Sequence, residues 1–460
     1  MSGGTMSILP IDSGRYGSEE MRRIFTEEAR LQRMLDVEAA LARANAKHGL
    51  IPPEAAEVIA ERASVRYVKL ERVKEIEARI RHDVMAVVEA LAEVCGEYGG
   101  YVHVGATSYD IVDTATALQL KEALAIIERR LEELCRLLCD LAVKYRGVVM
   151  IGRTHGQHAL PITLGFKFAV WASEFARHVE RLREVKRRVL VGKMSGAVGT
   201  MAGFMGKGME VQEEVMRLLG LKPETISTQI VQRDRLAELI CLFAIVASSL
   251  DRVATEIRNL QRPEIMELAE GFEPEQVGSS TMPHKQNPID CENVSSLAKL
   301  MRSLVIPALE NIPLWHERDL TNSANERFII PESCILLDEM LRRTIKVLRN
   351  LRVYPENMRR NLELTKGRIM SEAVMMYLTK KGMSRQEAHR LLRELSLKSM
   401  AEEVHLSEVL KRDERVRRFL TEREIDELTR PENYLGEAQR LIDKAISEVR
   451  AILEQGLAKT

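Results

Sequence analysis

Five polar clusters interrupt an otherwise apolar, helix-forming chain, and each carries groups able to hold an anion or move a proton. The longest runs from Gly278 to Pro288, GSSTMPHKQNP. It gathers a glycine, the hydroxyls of Ser279 and Ser280, Lys285 and Asn287 just before an expected helix start. Asn287 suits the N-cap, Pro288 the first helical position, and Asp290 with Glu292 the first turn, where the macrodipole favours negative charge. Backbone N–H groups at that end, with Lys285 beside them, would favour a carboxylate or a phosphate. The plain alternative is a solvated surface loop capped by Asn287.

The other four clusters leave similar choices open. Arg81-His82-Asp83 follows the charged stretch Glu71 to Ile80 and reads either as a helix-face ion-pair cluster or as an anion-binding group. Between His103 and Asp110, Thr107 and Ser108 stand at an expected helix N-terminus, where their hydroxyls cap the helix or bind a carboxylate. Arg153-Thr-His155-Gly-Gln-His158 falls in a turn between two long helical stretches. Histidines three apart could bind zinc, but no acidic or cysteine partner is near in sequence, and an imidazole of near-neutral pKa is better suited to proton transfer. Trp315 to Asp319, followed by Ser323 to Arg327, offers Arg318 and Arg327 as two-pronged clamps for phosphate or carboxylate, or as members of exposed ion pairs.

The elements that must position these groups are helices. Helix formers dominate and β-branched alternation is scarce, which predicts an all-α fold. After Thr107, which stands three residues before Asp110 like a capping box with Asp for Glu, Leu120, Leu124, Ile127, Leu131, Leu134, Leu138 and Leu141 recur at heptad spacing. The seam predicts a helix of about thirty residues, roughly 45 Å long. Similar stretches run from Leu164 to Leu190, Arg233 to Leu260 and Pro288 to Glu310, with polar or Gly-rich connections at 146–156, 191–208 and 270–278. An antiparallel bundle fits this layout. Residues 1–106, including helical stretches Arg22 to Gly49 and Glu54 to Glu97, form a first helical domain, 107–365 the long-helix domain, and 366–460 a third, helical at Arg385 to Met400 and Glu422 to Leu428.

Composition narrows the function classes. The 460 residues hold 68 basic and 68 acidic side chains and are 45% hydrophobic, enough for a substantial core and without a general pull toward nucleic acid or membrane. Six scattered cysteines, without a CxxC pair, suit reduced thiols in a core; Cys135 and Cys139 share a helix face but have no histidine at ligand spacing. No basic-then-apolar leader opens the sequence, and the longest apolar run, near Leu239 to Ala247, is far short of a membrane span of ~20 residues. A cytoplasmic protein is expected.

GSSxMPxKxNP, eight fixed positions in eleven, resembles the signature of the fumarase/aspartase superfamily. The Thr107 region, the His155 region and this loop follow that superfamily's usual order. Within it the chain resembles most the adenylosuccinate lyase family, through Arg15-Tyr16, Arg81-His82-Asp83, RTHGQHALPITLG from Arg153, Ser227 to Asp234, HERDLTNSANER from His316, and PENYLG from Pro431. His158 stands where many relatives carry proline, and His284 does not discriminate, since carboxymuconate cycloisomerases share it. The resemblance implies a cofactor- and metal-free β-elimination of fumarate from adenylosuccinate and from the succinyl-carboxamide ribotide. Ser279 would be the general base and His155 the general acid. Arg15, Tyr16, Arg81, His82, Asp83, Thr107, Ser108, Gln229, Ser280, Lys285, Asn287, Asn293, Arg318, Ser323 and Arg327 would bind substrate. It also implies a homotetramer whose active sites are shared between subunits, with long helices from four chains making a common core. The rival readings are argininosuccinate lyase, a carboxymuconate cycloisomerase, or a non-catalytic helical binding protein.

Overall fold

The computed structural model describes residues 7–457, and they are built almost wholly from helices. Two compact units account for them, each assembled from separate stretches of chain: one from residues up to 131 with 178–250 and 296–342, the other from 132–177 with 251–295 and from 343 onward. The division falls inside several of the long helices.

The heptad seam is realised. The helix after Thr107 runs Ser108–Lys144, 37 residues, or about 55 Å, and every leucine of the seam, with Ile127, is buried. Half of the capping box forms: the Thr107 N–H donates to Asp110 Oδ2 at 2.8 Å. The same carboxylate accepts the N–H groups of Ser195 (2.9 Å) and Gly196 (3.0 Å) and pairs with the Lys193 ammonium. Both charged side chains are wholly buried. A buried carboxylate is tolerated where donors surround it, so Asp110 pins the 193–196 loop to the start of this helix.

Two other long helices, Leu164–Val189 and Asp234–Leu260, match the sequence pattern. The stretch from Pro288 to Glu310 does not stay whole. It divides into Ile289–Ser303 and Val305–Glu310, because Pro307 has no N–H to give and its ring clashes with the carbonyl four residues back, that of Ser303. Likewise Arg22 to Gly49 splits into Glu19–Ile24 and Glu27–Lys47, the second capped by Thr26, whose hydroxyl accepts the Ala29 N–H. A helix not read from the sequence, Ser323–Arg349, is masked there by its polar start and by Pro331.

The connection at 146–156 is not a plain turn. Val149–Thr154 pairs antiparallel with Gln157–Thr163, and Ile151 faces Pro161 while Arg153 faces His158, so an extra residue bulges the second strand. A side chain on Gly152 would stand 2.8 Å from the Leu160 carbonyl in that bulge. Two short ladders, Val191–Gly192 with Lys222–Pro223 and Leu268–Ala269 with Arg352–Val353, complete the sheet structure among the described residues.

In the first unit, Glu27–Lys47, Pro53–Arg62, Leu70–Ile80 and Asp83–Val94 close over a core that includes Leu35, Leu41, Ile59 and Leu91. In the second, Arg385–Glu402 and Glu422–Leu428 form where amphipathic spacing places them, around Leu378, Leu392, Leu410 and Ile425. Cys135 and Cys139 are buried, and burial pushes the Cys139 thiol up to about 11. No helix is long and apolar enough to cross a membrane.

His103 shows how a charge is held in the first unit. Its Nδ1 lies 2.6 Å from Glu38 Oε1, and Glu38 is 1% exposed. Burial works against the imidazolium, but the charge and hydrogen bond of Glu38, aided by Asp110, outweigh it and raise the pKa above its usual 6.5. A raised pKa places this stabilisation fully below about pH 6.5, and it fades as pH rises through the folded-state value. The melting temperature of His103→Gln should therefore fall below that of the parent most at pH 6 and approach it by pH 9. A pH-independent gap would show that the pair does not titrate.

Candidate active site

The second unit carries the candidate acid and base. His155 and Gly156 form the tip of the strand pair, with φ of +54° and +72°. Two successive left-handed residues between paired strands make a type I′ turn, which lifts the imidazole into solvent on a rigid hairpin. The hairpin is anchored below by Arg153, whose two Nη atoms reach the Glu267 carboxylate at 2.8 and 3.0 Å. Glu267 is wholly buried and takes a further hydrogen bond from the Asn361 amide at 2.8 Å. Arg153 is thus a support of the site. His158 is half-buried, and burial first, then the charge of Arg153, lowers its pKa. Among the described residues no group of three or more His, Cys, Asp or Glu side chains is placed to hold a metal.

The loop of Ser279 is folded on itself. Ser279 Oγ accepts the Met282 N–H at 3.1 Å and lies 3.4 Å from the Thr281 nitrogen as a second acceptor contact. These donors, which the sequence could not reveal, are of the kind that stabilise developing negative charge on a hydroxyl oxygen. Ser280 and Lys285 are exposed in the same loop.

Two expectations for this loop are corrected. Asn287 does not cap the helix that starts at Ile289; its Nδ2 donates to the Gly278 carbonyl at 2.9 Å and ties the two ends of the motif together. Glu270 takes the cap instead, accepting the N–H groups of Asp290 at 3.2 Å and Cys291 at 2.5 Å. Those amides, expected to receive a substrate carboxylate, already hold one supplied by the protein. Glu270 is 4% exposed, and burial raises its pKa despite the donors. Asn293, too, has a local partner, its amide donating back to the Ile289 carbonyl of its own helix at 2.9 Å.

Gly278 also has a different reason to be glycine. A β-carbon there would overlap the Lys285 carbonyl oxygen, so its value is close approach. Gly278→Ala should re-aim Ser279 and lower kcat by about a hundredfold, the scale of an ångström's misplacement of a reacting group, with the melting temperature little changed. Kinetics matching the parent would show that the loop absorbs the methyl group.

The first unit carries a donor-rich pocket. Arg318 lies over the Tyr109 ring, its Cζ 3.6 Å from the centroid, and donates through Nη1 to Gln229 Oε1 at 3.1 Å. Its Nε and Nη2 are buried without a hydrogen-bond partner. The Tyr109 hydroxyl reaches Ser323 Oγ at 3.2 Å. Arg327 pairs with Asp83 at 2.8 Å, and a cavity of about 220 Å³ opens among Arg30, Tyr109, Gln119, Ser323 and Arg327. Arg30, which the sequence did not single out, has its pKa lowered by burial and then by the charge of Arg327. Arg318 thus keeps two buried nitrogens unpartnered, and buried charge without a partner is costly until an anion arrives.

Other residues of the set have local duties as well. Arg81 is the left-handed residue ending Leu70–Ile80, with φ of +56°, and His82 caps the next helix by accepting the Met85 N–H at Nδ1, so Arg81-His82-Asp83 is a helix junction and not a helix-face cluster. Thr107 and Ser108 are half-buried at a helix start whose Thr107 amide is already held by Asp110. Arg15 is exposed and Tyr16 half-buried, followed by Gly17 and Ser18, whose N–H groups bond Glu339 and Asp338.

Residues 14–301 match the lyase family model, and residues 367–445 match the model of the adenylosuccinate lyase C-terminus. Adenylosuccinate lyase of Pyrococcus horikoshii is 59% identical over 98% of this chain and 100% of its own, and that of Methanocaldococcus jannaschii is 51% identical over 98% and 97%. The chain belongs to the adenylosuccinate lyase family. It is an enzyme of the lyase class, in the fumarase/aspartase superfamily. Among solved structures, 3-carboxy-cis,cis-muconate lactonizing enzyme from Pseudomonas putida superimposes with a TM-score of 0.88 at 34% identity, covering 97% of this chain and all of that one. A fumarate lyase from Mesorhizobium sp. BNC1 gives 0.87 at 36%, covering 94% and 98%. This chain and the muconate enzyme thus share one all-α scaffold, and membership in the adenylosuccinate lyase family rests on the far greater sequence identity to adenylosuccinate lyases.

Proposed function

We propose that the protein cleaves adenylosuccinate to AMP and fumarate, and the succinyl-carboxamide ribotide to its carboxamide product and fumarate, in purine nucleotide synthesis. Ser279 Oγ takes the proton from the carbon beside the succinyl carboxylate, and the electron pair spreads onto that carboxylate. As the pair returns to form the double bond, the C–N bond breaks and His155 gives the leaving nitrogen its proton. The Met282 N–H and the cationic Lys285 support an ionised Ser279, in keeping with the general need for fixed donors where charge grows. Ser280, Asn287 and Asn293 complete the loop side, with Thr107 and Ser108 holding the succinyl carboxylates through their hydroxyls.

The observation that carries this reading is the pair of unpartnered buried nitrogens on Arg318, which stacks on Tyr109 where that ring lines one pocket with Arg327. A nucleotide brings a 5′-phosphate that fumarate, aspartate or a muconate lacks, and such a pocket answers it. Arg15, Tyr16, Arg81, His82, Asp83, Gln229 and Ser323 belong to the same nucleotide-holding set. Exposed apolar side chains on long helices, Val170, Ile245 and Leu300, support a homotetramer with shared active sites. The three-part division at residues 106 and 365, a cytoplasmic location, acid–base chemistry without a cofactor, and no role for nucleic acid belong to the same reading.

An absorbance assay with each purified substrate tests it. Turnover of adenylosuccinate is expected, and Arg327→Ala should raise KM for it by about tenfold or more, the loss of a charge-assisted hydrogen bond. Turnover of argininosuccinate or a carboxymuconate in place of adenylosuccinate would overturn the reading.

A further inference from the structure

We infer that Gln261 and Arg352 form a clasp that sets the position of the Ser279 loop, acting as positioning residues outside the catalytic machinery. The inference rests on the proposed role of Ser279. Residues 271–285 leave the Leu268–Ala269 strand at Glu270 and return at Gln286, before the helix starting at Ile289. Two side chains bridge those feet. Gln261, 7% exposed, accepts the Glu270 N–H on Oε1 at 3.0 Å and donates from Nε2 to the Gln286 carbonyl at 3.1 Å. Arg352 donates from Nε to the Glu270 carbonyl at 2.8 Å and from Nη2 to Gln286 Oε1 at 2.8 Å. Each bridge uses both ends of a forked side chain, one prong per foot.

The Glu270 carboxylate adds a third tie by capping the helix that receives the returning chain. Both polar groups of the Gln261 amide are used, which fixes its orientation, since only its oxygen can accept an N–H. Closing a loop of this length carries an entropic cost that the bridges offset. With the feet fixed, the loop moves about one base, and Ser279 returns to one place. Without the clasp the feet drift apart, and the serine is delivered to a wider range of positions.

The test compares Gln261→Ala, Arg352→Ala and the charge-keeping Arg352→Lys with the parent and with Ser279→Ala, in the full chain. Kinetics on adenylosuccinate, limited proteolysis and thermal melting are measured together. The clasp predicts that each bridge variant loses between about tenfold and a hundredfold in kcat, holds KM within about twofold, is cut faster within 272–288, and melts near the parent. Lysine cannot form the fork, so Arg352→Lys should behave like Arg352→Ala. Parental kcat and cleavage rates in the bridge variants would overturn the clasp, as would losses in kcat matched by a lowered melting temperature and no faster loop cleavage. If Ser279→Ala retained turnover, the base assignment would fall instead, and the cleavage rates would still decide whether Gln261 and Arg352 hold the loop.

Discussion

Ser279→Ala is expected to lower kcat on adenylosuccinate by about three orders of magnitude, within the range that positioned acid–base groups contribute, while AMP still binds. The reasoning begins with how the hydroxyl is held. Ser279 Oγ already accepts the Met282 N–H at 3.1 Å, so the environment favours negative charge on that oxygen, and alanine removes that proton acceptor. His155→Ala should give a loss of similar size with the same retained binding, since a protonated leaving nitrogen is needed in the same transition state. Single-turnover kinetics with calorimetric titration of AMP would separate chemistry from binding. Turnover within tenfold of the parent in either variant would remove that residue from the mechanism.

The Ser279 and His155 segments were legible because their motifs are local strings, and the Ser108–Lys144 helix because a heptad seam is a local period. What escaped was decided at long range. The strand pair around His155 is held by Arg153 and the buried Glu267 more than a hundred residues away, and nothing in a single glutamate announces that. Its one local sign was His155-Gly156, a pair tolerant of positive φ. Asn287 read as an N-cap by type and place, yet Glu270 wins the helix end because a charged acceptor competes better for buried amides. Pro331 concealed the Ser323–Arg349 helix. There it removes the N–H that would close on the carbonyl of Arg327, a residue that also pairs with Asp83.

The second large effect concerns stability. Arg233→Met should destabilise the fold by about 3–5 kcal/mol, the cost of stranding buried charge by deleting one partner. Arg233 is 4% exposed and is held from both sides: Asp113 accepts from both Nη atoms at 2.9 Å, and Glu326 from Nε at 2.7 Å and Nη2 at 3.1 Å. The two carboxylates more than offset burial and raise the guanidinium's pKa. Methionine fills much of the volume and leaves both carboxylates facing each other. Denaturant titration should show the midpoint falling, and KM should rise as well, since Glu326 precedes Arg327 on the same helix. A shift below about 1 kcal/mol would mean that water or rearrangement relieves the carboxylates.

The hairpin tip has a bearing on how such a sequence can drift. Position 155 holds a backbone that glycine adopts freely and that asparagine, aspartate and histidine tolerate better than other side chains. Most replacements there are opposed twice, by the turn and by the chemistry. Asparagine and glycine escape the first penalty, so a lineage could lose its proton donor in a single step while the hairpin, and the protein's solubility and abundance with it, stayed intact. An inactive descendant of this scaffold is therefore to be sought among sequences with Asn or Gly at this tip, where neither expression level nor folding would reveal the loss.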